Sequence, residues 1–67
     1  MTLNIYEQAI LRLLKTARRP LTTSQVAEKL GISWETAKKY LEVLHQGRYV
    51  SMKHEGNRIY WKINNTF

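Results

Sequence analysis

Residues 22–33 read Thr22-Thr23-Ser24-Gln25-Val26-Ala27-Glu28-Lys29-Leu30-Gly31-Ile32-Ser33, and this stretch decides the fold. Thr22 followed three residues later by Gln25 has the form of a capping box, in which each side chain accepts a bond from the other residue's backbone N–H. Val26, Ala27 and Leu30 then fall at i, i+1 and i+4, one face of a helix over about 23–30. Gly31 supplies a natural left-handed helix end. Ser33, one residue beyond Ile32, can cap another helix over about 34–46, with Ala37, Leu41 and Leu44 on its inner face and Gly47 beyond its end. Two short helices around a tight Gly31-Ile32-Ser33 turn are therefore expected.

Upstream, Asn4 and Glu7 have capping-box spacing, with Asn as a variant of the usual Ser or Thr. Tyr6, Ala9, Ile10, Leu13, Leu14 and Ala17 follow at helical spacing, which predicts a helix over about 4–17. Leu3, Ile5, Tyr6 and Leu11 are apolar in excess of one stripe. Arg19 precedes Pro20 and is pushed out of helical geometry, which ends that helix. Downstream of Gly47 the period changes from that of a helix to two. Val50 and Met52, then Ile59, Trp61 and Ile63, alternate with polar residues. The connection Glu55-Gly56-Asn57, read as three residues, signals a hairpin over about 49–63. Since a lone hairpin is marginal in water, its apolar face must lie on the helices. Leu21 can add a short third strand. The predicted fold class is α+β, with three helices followed by a hairpin, as one domain over residues 1–67.

Composition narrows the function. All five acidic residues are Glu, against eleven Lys and Arg, for a formal charge of +6. That balance points to a polyanionic partner, nucleic acid or an anionic membrane. With no cysteine in the chain, disulfides and thiolate metal sites are excluded. His45 and His54 are too far apart for a helical metal pair, so no metal and no cofactor is expected. There is no aspartate, no phosphate-cradling glycine loop and no acid/base pair, so the chain does not read as an enzyme. Apolar runs fall far short of a membrane span, and the N-terminus lacks the pattern of a secretory signal. The basic residues are spread over helix, turn and hairpin instead of one amphipathic face, which argues against a membrane surface. The expected location is cytoplasmic.

In their order and spacing these motifs resemble the winged helix-turn-helix DNA-binding domains, with a core like that of small prokaryotic regulators of the MarR and ArsR types. Thr22-x-x-Gln25-Val26-Ala27-x-x-Leu30-Gly31-Ile32-Ser33 is similar to the family's first helix and turn. Ser33-x-x-Thr36-Ala37-x-x-x-Leu41-x-x-Leu44 resembles its recognition helix, and Gly47-x-Tyr49-Val50 through Ile63 its wing. The resemblance implies a double-stranded DNA-binding transcriptional regulator, with the recognition helix in the major groove and the wing on the backbone or minor groove. It implies DNA contacts from Ser33, Trp34, Thr36, Lys38, Lys39 and Tyr40 on the helix, and from Lys53, His54, Asn57 and Arg58 on the wing.

Blander roles compete with each of these. Ser33 is a helix cap whatever else it touches. Lys38 and Lys39 alone would read as a solvated helix face, Tyr40 sits beside the inner face, and Trp34 can serve a protein contact. Trp61 reads as packing between wing and core, and Arg18 and Arg19 as a solvated loop. A winged-helix protein-interaction module is the alternative function; Lys38, Lys39 and the net charge oppose it, while an exposed Trp34 favours it. Z-DNA recognition has little support: the wing has no proline pair, and Lys38 stands where that group usually has asparagine. No small-molecule ligand is expected in 67 residues. A homodimer through helix one and the tail with Phe67 is an expectation drawn from the surplus apolar residues.

Overall fold

The helices begin where local side-chain chemistry dictates. In the computed structural model, which describes residues 2–64, α1 spans Ile5–Thr16, with Asn4 accepting from the Glu7 N–H and Glu7 accepting from the Asn4 N–H, each at 2.8 Å. After the two-residue strand β1 (Leu21–Thr22), α2 (Thr23–Leu30) opens on the same reciprocal arrangement between Thr22 and Gln25. Helix α3 covers Trp34–Gln46 and is capped by Ser33. Strands β2 (Val50–Glu55) and β3 (Arg58–Ile63) form the hairpin.

Gly31 adopts φ 68°, ψ 33°, and the Ile32 N–H reaches back to the Ala27 carbonyl at 3.0 Å. This is the Schellman closure, and it makes the α2–α3 turn short and stiff. The space around Gly31 is open, so its identity is set by backbone conformation alone. Gly31→Ala is expected to cost about 1–2 kcal/mol, the left-handed penalty of a Cβ. Gly31→Asn should cost less, because asparagine tolerates that region. Urea unfolding of both variants checks the ranking; equal losses would point to crowding instead.

The end of α3 falls where the sequence predicts, before Gly47. The left-handed residue there is Arg48, at φ 67°. Its N–H bonds to the His45 carbonyl and that of Tyr49 to the Leu44 carbonyl. Gly47 answers a different demand: a Cβ there would lie 3.0 Å from the Tyr49 ring. The hairpin connection is tighter than expected. Glu55 pairs with Arg58, leaving a two-residue turn, Gly56-Asn57, with only Gly56 at positive φ (60°), as in a type II′ turn.

The sheet has the order β1-β3-β2, with both pairs antiparallel. Leu21 sits opposite Trp61 on one side, and Met52 opposite Trp61 on the other. The core gathers Ile10 and Leu14 from α1, Val26 and Ala27 from α2, Ala37, Leu41 and Leu44 from α3, and Leu21, Val50 and Trp61 from the sheet. Trp61, 1% exposed, is the largest of these. Its indole Nε1–H donates to the Thr23 hydroxyl at 2.9 Å, and the His45 ring meets it edge-on at 6.1 Å. One buried side chain thus joins the middle strand to the first turn of α2 and the end of α3.

The apolar surplus of α1 divides. Leu3 and Leu11 pack against the chain's own core, while Ile5 is 76% exposed. Tyr6 lies flat against Tyr40 of α3, centroids 5.3 Å apart and planes within 8°. Phe67 lies outside the described residues. No helix among the described residues is long and apolar enough to cross a membrane.

Candidate nucleic-acid interface

The exposed flank of α3 begins with its cap. Ser33 Oγ accepts from the Thr36 N–H at 3.1 Å and donates to Thr36 Oγ1 at 2.8 Å. The two hydroxyls therefore engage each other first, and Thr36 is half-buried. Trp34, Lys38 and Glu42 follow at intervals of four and form a ladder. Lys38 Nζ lies 5.7 Å from the centre of the Trp34 ring and 3.5 Å from Glu42 Oε2. Lys39 projects from the neighbouring position, with Nζ 5.3 Å from the centre of the Tyr40 ring. Tyr40 is half-buried against the core and covered by Tyr6, so it is both a packing residue and the base on which Lys39 rests.

At the hairpin end, Lys53 pairs with Glu55 at 3.3 Å. Arg58 faces Glu55 across the strand pair, and Asn57 occupies the turn. His54 is exposed on β2, opposite Ile59. Lys38 and Lys53 thus carry carboxylate partners, whereas among the described residues no ion pair involves Lys39 or Arg58. Exposed pairs of this kind contribute about 0–1 kcal/mol and are readily exchanged for another anion.

A groove of about 390 Å³ joins the two elements. Trp34 and the α2 start, Thr22 to Gln25, line one side, and Asn57, Arg58 and Ile59 the other. Of the sequence-predicted residues, Trp34, Asn57 and Arg58 converge here. Tyr40 is covered by Tyr6, Lys39 is exposed beside it, and Lys53 and His54 stand on the outer strand of the hairpin. Two features of this surface lie outside the sequence-predicted residues: Thr22–Gln25, which line the groove, and Tyr6, which stacks on Tyr40. The first carried a usable signal, since a capped helix start presents backbone N–H groups to an anion. Tyr6 carried none, because its partner is 34 positions away in sequence.

Residues 9–52 match the IclR helix-turn-helix domain. The chain belongs to that family. No curated protein matches it. Among solved structures it resembles the homodimeric winged helix-turn-helix DNA-binding domain of a candidate ArsR-family transcriptional regulator from Mycobacterium bovis. The TM-score is 0.82 and the identity 31%, over 92% of this chain and 56% of that one. A MarR/EmrR family transcriptional regulator from Acinetobacter matches at TM-score 0.82 and 12% identity, over 94% of this chain and 46% of the other. Human N-acetylserotonin methyltransferase also matches, at TM-score 0.80 and 18% identity, over 90% of this chain but 17% of its own. The last two likenesses are of fold alone, and the chain spans less than two thirds of each of the three. The domain is a winged helix-turn-helix DNA-binding domain of the transcription-regulator kind, and this family and the regulators beside it point away from catalysis.

Proposed function

We propose that the domain binds double-stranded DNA with α3 in the major groove and the β2–β3 turn on the backbone or minor groove, as the DNA-reading part of a transcriptional regulator. The observation that carries this reading is the shared groove. Trp34 at the start of α3 and Arg58 at the hairpin turn border one cleft, and an α-helix has the girth for a major groove about 12 Å wide. In this reading Ser33, Trp34, Thr36, Lys38, Lys39 and Tyr40 meet the groove and its rims, and Lys53, His54, Asn57 and Arg58 meet phosphates or the minor groove. Lys39 and Arg58, which carry no carboxylate, contact DNA at no loss of an internal pair. The domain works without cofactor, metal or catalysis, in the cytoplasm, and its own residues hold no small-molecule effector.

Binding to random duplex should therefore be micromolar or tighter at low salt. With about four to six phosphates neutralised per protomer, log K should fall against log salt with a slope of about −4 to −5. Fluorescence anisotropy at several salt concentrations measures it. Binding that ignores salt would transfer the face to a protein partner, the reading that the exposed Trp34 favours.

We further infer a symmetric homodimer through α1. Its support is Ile5, 76% exposed beside the Tyr6–Tyr40 stack, and the homodimeric state of the Mycobacterium bovis domain. Paired domains of this kind read half-sites about one helical turn apart. Sedimentation at tens of micromolar should give twice the 8.0 kDa chain mass, and Ile5→Ser should shift the species toward monomer. A monomer at every concentration removes the dimer and leaves the DNA reading standing.

A further inference from the structure

A second concentration of positive charge lies away from the groove. β3 runs away from the β2–β3 turn, and β1, antiparallel to it, runs toward that turn and ends where α2 begins. The residues just before β1 therefore lie at the opposite end of the sheet. The pairs Leu21–Trp61 and Thr22–Tyr60 put Arg19 and Pro20 toward the Lys62–Ile63 end of β3, and all four residues border one pocket. There Lys15, Arg18, Arg19 and Lys62 border one shallow pocket, and Arg18 and Arg19 border another with Lys29. No residue lining either pocket lines the groove.

These are five of the eleven Lys and Arg, and all five are exposed. Among the described residues the ion pairs are Lys38–Glu42 and Lys53–Glu55, so none of the five is neutralised. Like charges held together raise the local potential and repel one another, a cost that a polyanion relieves. The guanidinium groups of Arg18 and Arg19 suit bidentate capture of phosphate oxygens. The face is assembled from the end of α1, residues 17–20, Lys29 near the end of α2 and the end of β3, an arrangement that suits holding a backbone more than reading a sequence.

We propose that this basic face binds the phosphate backbone of a second duplex, so that one protomer bridges two DNA segments. The proposal rests on the reading above for the chemistry of the partner. The body between the two faces, 35 × 28 × 21 Å in extent, keeps the duplexes apart, and contact at the second face is independent of base sequence.

The test immobilises one duplex on beads and adds a second, fluorescent duplex with the full chain. The chain should retain the free duplex, and rising salt should release it. In the combined variant Lys15→Gln, Arg18→Gln, Arg19→Gln, Lys62→Gln, with four phosphate contacts gone, retention should fall about tenfold or more, while anisotropy with a single duplex changes by about twofold or less. All four side chains are exposed, so the fold should survive, as thermal melts verify. Equal retention by the variant would mean that bridging runs through paired protomers, and it overturns the proposal. Binding of the immobilised duplex without capture of the free one overturns it as well, with the DNA reading intact. Failure to bind any duplex removes the DNA reading itself. Vesicles containing phosphatidylserine form the last arm: capture of vesicles but not of the free duplex, lost in the variant, would assign the face to a membrane.

Discussion

Replacing Trp61 with alanine is expected to leave most molecules unfolded at 25 °C. Removing a buried Trp typically costs about 3–5 kcal/mol, and a chain of this size has roughly 3–10 kcal/mol in total. This site should fall at the upper end of that loss. The indole is 1% exposed, its neighbours across the sheet are Leu21 and Met52, and the cavity would open where the sheet meets α2 and α3. Thr23, buried at the start of α2, would also lose its hydrogen-bond partner. Trp61→Phe separates the two contributions. It keeps most of the apolar volume but leaves the Thr23 hydroxyl unpaired, a loss of about 1–3 kcal/mol. Denaturant melts should rank the wild type above Phe and Phe well above Ala. A Phe variant as unstable as Ala would mean that the Thr23 bond, and not ring volume, dominates.

The largest functional effect should appear in discrimination between DNA sequences. Under the proposed docking, Lys39→Ala and Thr36→Ala should weaken a preferred site more than random duplex, by about 1–3 kcal/mol where a base contact is lost. Arg58→Ala and Lys53→Ala should weaken both duplexes alike and flatten the salt slope by about one unit each. Thr36 is held by Ser33, so its substitution also tests whether that hydroxyl pair opens on binding. Lys53→Ala exposes the carboxylate of Glu55 at the turn, and it should therefore cost somewhat more than Arg58→Ala on either duplex. Competition titrations on both duplexes at two salt concentrations decide the matter. Loss of discrimination in the hairpin variants, with retention in the α3 variants, would reverse the assignment and make the wing the reading element.

What was legible in the sequence is what depends on neighbours within a turn. The Asn4–Glu7 and Thr22–Gln25 caps, the left-handed Gly31 and the Ser33 cap each involve residues a few positions apart, so residue type and spacing specify them. Alternation in β3 placed Trp61 in the core for the same reason, whereas in β2 it held for Val50 and failed for Met52, which is 38% exposed on the edge strand. Long-range partners were not legible. The Trp61–Thr23 bond spans 38 positions, and the stack of Tyr6 on Tyr40 spans 34. Leu3 and Leu11 read as surplus because a single stripe was counted, whereas the core reaches around α1 to take them in. The hairpin turn was read one residue too long, since Glu55 looks like a loop residue until Arg58 is seen opposite it. The left-handed conformation of Arg48 and the crowding of Gly47 by the Tyr49 ring carry no signal in residue type or spacing. In the candidate site, cations could be nominated singly, but pairing of Lys38 with Glu42 and Lys53 with Glu55 emerges only from geometry.

The closed α2–α3 turn and the bolt that Trp61 makes between β3 and Thr23 together set the start of α3 and the sheet on one framework. Trp34 is tied to that framework through α3 and the base of the hairpin through Trp61, while residues 52–58 at the hairpin end are exposed and rest on strand pairing. Under the proposed docking, a duplex that meets both elements has to do much of the adapting, by narrowing or widening its grooves or by bending at its softer steps. The energy of that deformation depends on base sequence even where no side chain touches a base. In that docking, part of what the domain would select is compliance: two sites with identical contacted bases but stiff or flexible intervening steps would be held with different affinities.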